Sequence, residues 1–264
     1  MKLCLPFSVL RTIFYSIVCG VLLFPITSSV AKAEENHCPS LVYFNSGSFY
    51  DDLNDHNRAI EDYTESLKQN DEWIKNNYSM VYTNRGQSYN DQGKYDKAIE
   101  DYTTALKLAD KWIEDNRSAV YSKRGSSYES QGKYDKAIED YTAALKEDKG
   151  IEYRRSLIYY NRGVIYDQIN QAKYYDKVIE DFTAALELED KWIKDYRSLV
   201  YFSRGVSYYF QGEYDKAVED FTAALKLEDG WISATTQLRS SRWIDNRSLV
   251  RRNLEKARSM PFSK

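Results

Sequence analysis

Between residues 95 and 106 the apolar positions are Tyr95, Ala98, Ile99, Tyr102, Ala105 and Leu106, recurring at steps of three and four. The spacing predicts an amphipathic α-helix with these side chains on one face. Asp96, Lys97, Glu100 and Asp101 are expected on the opposite face, toward water. There Asp96 and Glu100 repel while Lys97 and Asp101 attract, each by about 0.2–0.5 kcal/mol. An acidic first turn also complements the helix dipole. The octapeptide YDKAIEDY at 95–102 returns unchanged at 134–141. YDKVIEDF (175–182) and YDKAVEDF (214–221) are near-copies, and HNRAIEDY (56–63) is a more divergent one. Paired-acid catalysis needs two carboxylates differentiated by their surroundings, which equivalent copies on exposed faces do not provide. The octapeptide therefore reads as a building unit.

It belongs to a longer unit. RGQSYNDQGKYDKAIEDYTTAL (85–106), RGSSYESQGKYDKAIEDYTAAL (124–145) and RGVSYYFQGEYDKAVEDFTAAL (204–225) align without gaps, and RGVIYDQINQAKYYDKVIEDFTAAL (162–186) carries three extra residues. Gly47, Gly86, Gly125, Gly163 and Gly205 step by 39, 39, 38 and 42 residues. Such a period indicates stacked supersecondary units, here two helices each. Gly86 and its equivalents sit inside the first helix, where glycine costs about 1 kcal/mol against alanine. The cost is tolerable if the missing Cβ lets the helices approach closely, with tyrosines filling the space beside the contact. Gly93, Gly132 and Gly212 are expected to close the first helix with positive φ.

The order Gly-x-x-Tyr-x-x-x-Gly-x-Tyr-x-x-Ala-x-x-x-Tyr/Phe-x-x-Ala is carried by Gly86, Tyr89, Gly93, Tyr95, Ala98, Tyr102 and Ala105. It recurs at Gly125, Tyr128, Gly132, Tyr134, Ala137, Tyr141 and Ala144, and at Gly205, Tyr208, Gly212, Tyr214, Ala217, Phe221 and Ala224. This order resembles the tetratricopeptide repeat. The resemblance implies an all-α fold, an α-solenoid of helix–turn–helix repeats, with five repeats at about 40–70, 79–110, 118–149, 156–190 and 198–230. The first repeat departs from the pattern with Asn54 for the turn glycine and His56 for the tyrosine, as suits a cap. The fourth has INQAK in place of the glycine and Val178 for alanine, so a longer turn is expected.

The family period is about 34 residues. The excess here lies in DEWIKNNYS (71–79), DKWIEDNRS (110–118) and DKWIKDYRS (190–198). One further turn on the second helix is expected, with Trp-Ile packed on the next unit and DNRS capping the next first helix. A tryptophan ligand platform is the functional alternative. After Leu225 the signature stops, and WIDNRSLVRRNLEKARSM (243–260) resembles the start of a sixth unit. Leu249, Val250, Leu254 and Ala257 form an apolar stripe, so residues 231–264 are expected to hold a C-terminal capping helix and a basic tail.

Charge sharpens that division. Residues 239–264 hold eight Lys/Arg against Asp245 and Glu255, while the formal charge of the whole chain is −3. An acidic body argues against nucleic acid as a partner. The basic end suits packing as a cap and, alternatively, anionic lipid or an acidic partner. Residues 1–33 run from basic MKLCLPFSVLR through apolar TIFYSIVCGVLLF to PITSSVAKA. They read as a signal peptide cleaved before Glu34, which implies a periplasmic or secreted protein, with an uncleaved membrane anchor as the alternative. Cys4 and Cys19 would leave with it. Cys38 then stands alone, with no disulfide framework, though pairing between molecules is open to it. His37 and Cys38, with His56 the only other histidine, make no metal site. Asn77-Tyr-Ser, Asn116-Arg-Ser and Asn246-Arg-Ser also spell glycosylation acceptors.

No phosphate loop, nucleophile elbow or clustered His/Cys/Asp set appears, so a non-enzyme without cofactor or metal is expected. Repeat arrays bind along their concave face. The resemblance implies that this face is formed by first-helix positions six and three before the glycine and one, four and five after it. Here these give a groove polar and mildly acidic toward Asp91 and Glu129, and apolar at Leu157, Tyr160, Val164, Leu199, Phe202, Val206, Tyr209 and Phe210. A peptide or partner protein with an apolar anchor fits that gradient. Coverage of the aromatic end by the chain's own tail or by a second copy is the alternative, as is a homo-oligomer stacked through its terminal repeats. Some family members clamp a chaperone's C-terminal carboxylate. Asn84 matches that motif, but Phe44, Ser48 and Ala119 do not, so the clamp is incomplete.

Overall fold

The computed structural model describes residues 38–147, 154–169, 172–233, 235–237 and 243–260. The expected signal peptide (1–33), which holds Cys4 and Cys19, lies outside them, as does His37. The chain divides into two compact units, 1–114 and 115–264. In the first, α1 (Pro39–Asp52) and α2 (His56–Lys68) make one repeat. The one-turn helix α3 (Glu72–Lys75) leads into a second repeat, α4 (Tyr78–Asp91) and α5 (Tyr95–Lys107). The division falls within α6 (Lys111–Ser130).

In the second unit α6 pairs with α7 (Tyr134–Lys146). A repeat of α8 (Arg155–Ile169) and α9 (Tyr175–Leu186) follows, joined through a 3₁₀ turn at Ala172–Tyr174. Next come α10 (Lys191–Gln211) and α11 (Tyr214–Lys226), then α12 (Asn246–Arg258). The fold is an all-α solenoid of helical hairpins, with one exception to the sequence reading. Strands β1 (Thr235–Gln237) and β2 (Trp243–Asp245) form a short antiparallel ladder before α12.

The repeated spacing of glycine and ring has a direct cause. A Cβ on Gly205 would lie 2.9 Å from Cε1 of Phe221, and one on Gly86 the same distance from Cε1 of Tyr102. The ring itself, rather than backbone alone, occupies the space the glycine leaves. Gly212 ends α10 at φ 81°, and Glu213 N–H closes the turn onto the Tyr208 carbonyl at 2.9 Å. In the first repeat Asn54 takes the left-handed place at φ 58°. The 3₁₀ turn does this work in the fourth repeat, where Val178 is fully buried in the alanine's position.

Close approach at the glycine also brings the flanking residues together, which corrects the solvated-face reading at Asp101, while Asp96, Lys97 and Glu100 are exposed as expected. Asp101, Asp140, Asp181 and Asp220 are buried. Each accepts two hydrogen bonds from the arginine that precedes the glycine of its own repeat. Arg204 donates from Nε to Oδ2 and from Nη2 to Oδ1 of Asp220, both at 2.8 Å, and Arg85, Arg124 and Arg162 do the same within their repeats. Arg204 Nη1 also reaches Thr183 Oγ1 on the preceding second helix at 2.9 Å. Lys97 does not pair with Asp101; its Nζ lies 5.4 Å from the Tyr89 ring centroid.

A second correction concerns the excess residues. The Trp-Ile segments do not lengthen the preceding second helix: α6 and α10 begin at Lys111 and Lys191, just before Trp112 and Trp192, and Trp73-Ile74 forms the separate one-turn α3. The cap is the aspartate ahead of them. Asp190 Oδ1 accepts from Ile193 N–H at 3.1 Å, and Asp71, Asp110 and Asp229 accept in the same way from Ile74, Ile113 and Ile232. The same carboxylate reaches back one repeat. Asp190 accepts from Ser156 N–H at 2.8 Å and from Ser156 Oγ at 2.6 Å; Ser40, Ser79 and Ser198 are held alike. One side chain thus caps a helix and ties two repeats together.

A third correction concerns the sixth unit. Its tryptophan is Trp231, whose ring lies 5.4 Å from Phe202 as Trp192 lies 5.2 Å from Tyr160. Trp243 belongs to β2, and the hairpin is an insertion between Ile232 and Asn246. Beyond it the repeat pattern resumes. Arg247 donates to the Leu225 and Leu227 carbonyls as Arg197 does to Leu186 and Leu188. Helix α12 therefore stands where a first helix would. Cys38 is disulfide-bonded, where the sequence reading left it a lone thiol.

Candidate functional site

Within the second unit, helix periodicity puts equivalent residues of successive first helices in one row. Leu157, Tyr160 and Val164 on α8 correspond to Leu199, Phe202 and Val206 on α10, and all six are half-buried. The two aromatic members pack against rings behind them. Tyr160 lies 5.6 Å from Phe182 and 5.2 Å from Trp192, which in turn stacks on Tyr196 at 5.1 Å. Phe202 lies 5.8 Å from Phe221 and 5.4 Å from Trp231. The tryptophans, expected to pack between units, back the candidate row. Aromatic contacts of this kind contribute about 0.5–1.5 kcal/mol each beyond area burial, so the rings are held in place.

Where α10 ends, Phe210 is 70% exposed. Its neighbour Tyr209 is half-buried, with Phe210 and Tyr214 edge-on at 5.8 and 5.4 Å and Lys256 of α12 5.0 Å from its centroid. Val250, Leu254 and Ala257 of α12 bury against Phe221 and Ala224. The chain's own C-terminal helix thus packs beside Tyr209 and leaves Phe210 open.

The acidic candidates behave differently from one another. Glu129, on α6, accepts from Tyr141 Oη at 3.0 Å, and burial pushes its carboxyl up. Burial likewise raises the Tyr141 phenol. Asp91 belongs to the first unit, where it is exposed and accepts from Gln87 Nε2 at 2.8 Å. Nine of the ten candidates therefore lie in the second unit, and Asp91 is not among them.

Two residues were missed by the sequence reading. Counting from Leu249, the equivalent of Leu199, places Arg252 and Lys256 where α10 has Phe202 and Val206. The signal was the repeated RSLV at 197–200 and 247–250; the offsets stopped at the fifth repeat because Glu255 replaces the glycine. Among the described residues no group of three or more His, Cys, Asp or Glu is arranged to hold a metal, and no helix is long and apolar enough to cross a membrane.

Family models described as tetratricopeptide repeat match residues 41–72, 76–146, 122–199 and 198–229. Among solved structures the chain is similar to MamA, with 26% identity over 68% of this chain and 92% of that one, at a TM-score of 0.55. BtubC from P. vanneervenii has 21% identity over 75% and 84%, at 0.59. YrrB, described as a TPR protein with an unusual peptide-binding site, has 16% identity over 75% and 91%, at 0.54. No curated protein sequence matches the chain.

Proposed function

The chain belongs to the tetratricopeptide-repeat family, and we propose that it is a non-catalytic, exported scaffold that binds a peptide or partner protein in the concave groove of its second unit. One observation carries this reading: Tyr160 and Phe202, at the same offset on successive first helices, stay half-exposed although Trp192 and Trp231 pack behind them. Preorganised apolar side chains lose little entropy on binding, which favours them as anchors. The peptide-binding description of YrrB agrees with this use of the fold. The test is a photo-crosslinking amino acid placed at Val206 or Phe210 in the full chain, with exposed Glu219 on α11 as the control, in extract of the host. A protein adduct from the first two sites alone is expected. Adducts of the same identity and yield from Glu219 would sink the groove reading.

A second reading, end-to-end stacking of copies, is favoured by the first repeat. Ser46 stands there in place of the arginine, and Asp62 keeps a buried Oδ2 without a partner among the described residues. A monomeric sedimentation profile at all concentrations would exclude it.

A further inference from the structure

We infer that α12 extends the groove and gives it a cationic end, so that the ligand is an apolar-anchored peptide acidic at the end that meets α12. The inference rests on the groove reading above and adds the ligand's charge pattern. Three observations carry it. Arg247 makes the carbonyl contacts of Arg197, which sets α12 in first-helix register. In that register Leu249 continues the row of Leu157 and Leu199, while Arg252 and Lys256 replace an aromatic and a valine. Lys256 also lies 5.0 Å from the ring of Tyr209, itself a groove position, so this side of α12 borders the groove.

Both cations are exposed, and neither pairs with a carboxylate among the described residues. Residues four apart share a helix face, so the two charges stand together. Farther along the same unit the groove offsets carry Glu129 and Asp167, which would repel a peptide's acidic end there. The groove thus runs from acidic through aromatic to basic. A uniformly acidic or uniformly basic segment would meet repulsion at one end; a segment acidic only beside α12 would not. Opposed charges across an interface fix register in this way.

The test is fluorescence anisotropy on the full chain with labelled peptides sharing one Leu/Phe-rich core. They are flanked by a triplet of Glu, Ser or Lys, at either terminus. For one placement of the triplet the Glu peptide should bind about threefold to tenfold more tightly than the Ser peptide, corresponding to one or two exposed charge pairs. The Lys peptide should bind more weakly, and salt should shrink the differences. In Arg252→Glu/Lys256→Glu the order should reverse. Arg258→Glu, an equal charge change per residue on another side of α12, should leave it intact, with circular dichroism confirming that each variant remains helical. Equal binding of all three peptides would overturn the inference and leave the groove reading standing. An acidic preference lost equally in Arg258→Glu would overturn it in favour of net charge. Binding of none would overturn both readings. Anionic phosphatidylserine vesicles bound through Arg252 and Lys256, without any peptide preference, would make α12 a membrane surface instead.

Discussion

Replacing Asp220 by alanine should destabilise the fifth repeat by about 3 kcal/mol, the low end of the range for breaking a buried ion pair from one side. The side chain is 6% exposed and its partner Arg204 16%. The substitution removes two charge-assisted hydrogen bonds of 2.8 Å and leaves the guanidinium with one neutral bond, to Thr183. At Arg204 burial works against the charge and the paired carboxylate outweighs it, holding the arginine's pKa above its ordinary value, whereas at Asp220 burial outweighs the arginine and pushes the carboxyl up. The pair's stability therefore rests on its two hydrogen bonds rather than on either shift. Tyr201 and Tyr208, with ring centroids 5.6 and 5.8 Å away, retain part of that stabilisation, which is why the low end is chosen. A solvent-facing aspartate would cost only about 0.5 kcal/mol. The two accounts are far enough apart to separate by urea titration of helicity. Because repeats can open singly, amide exchange in α10 and α11 should locate the loss. Arg204→Ala/Asp220→Ala should cost less than the sum of the single changes, since no unpaired charge remains. A loss below about 1 kcal/mol in Asp220→Ala, or strict additivity in the cycle, would refute the buried-pair argument.

Gly205→Ala should lower the thermal midpoint even though alanine favours helix by about 1 kcal/mol, because its Cβ would fall 2.9 and 3.0 Å from two ring carbons of Phe221. Overpacking costs about 1–3 kcal/mol, and Phe221→Leu in the same chain should recover part of the midpoint; a midpoint raised by Gly205→Ala alone would count against the ring contact. Asn54→Gly should stabilise by about 0.5 kcal/mol in urea, since glycine takes positive φ freely, and a decrease would mean that the Asn54 side chain has a role of its own. Burial opposes ionisation of Asp71, but hydrogen bonds from Ser40 and from the Ile74 backbone outweigh it and depress the folded pKa below 3.8. Its stabilisation is therefore full above the unfolded value and is lost as the pH falls through the lower folded one. Asp71→Asn should flatten the acid limb of stability below about pH 4; an unchanged acid limb would assign the acid lability elsewhere.

The hairpins and the glycine–ring contact were legible because each rests on a repeated local pattern. Apolar spacing reports which face of α5 is buried, and Ala98, Tyr102 and Ala105 are indeed fully buried. Spacing cannot distinguish a polar residue facing water from one facing a buried partner. Asp101 was misread for that reason, although the RG and EDY/F pairs, each one residue before a contact position, held the clue in four repeats. The Trp-Ile segment was assigned to the wrong helix because hydrophobic period continues across a turn. The aspartate ahead of it is the local signal that a new helix begins. In the groove, the apolar row followed from the offsets, whereas the backing by Trp192 and Trp231 required the corrected boundary.

Those corrected contacts also bear on where the array changes character. Arginine before the glycine bonds its own repeat's aspartate and, through Nη1, a threonine on the preceding second helix in three described cases. In those repeats it ties two successive hairpins together. Ser46 lacks this reach, and Asp62 is left with an unmatched oxygen. At the other end, α12 keeps the arginine that grips the preceding carbonyls, yet Glu255 stands where a glycine would receive a ring. A second helix in the usual register would bring its aromatic side chain onto that glutamate. With Glu255 at that position, α12 carries exposed Arg252 and Lys256 where α10 has half-buried Phe202 and Val206.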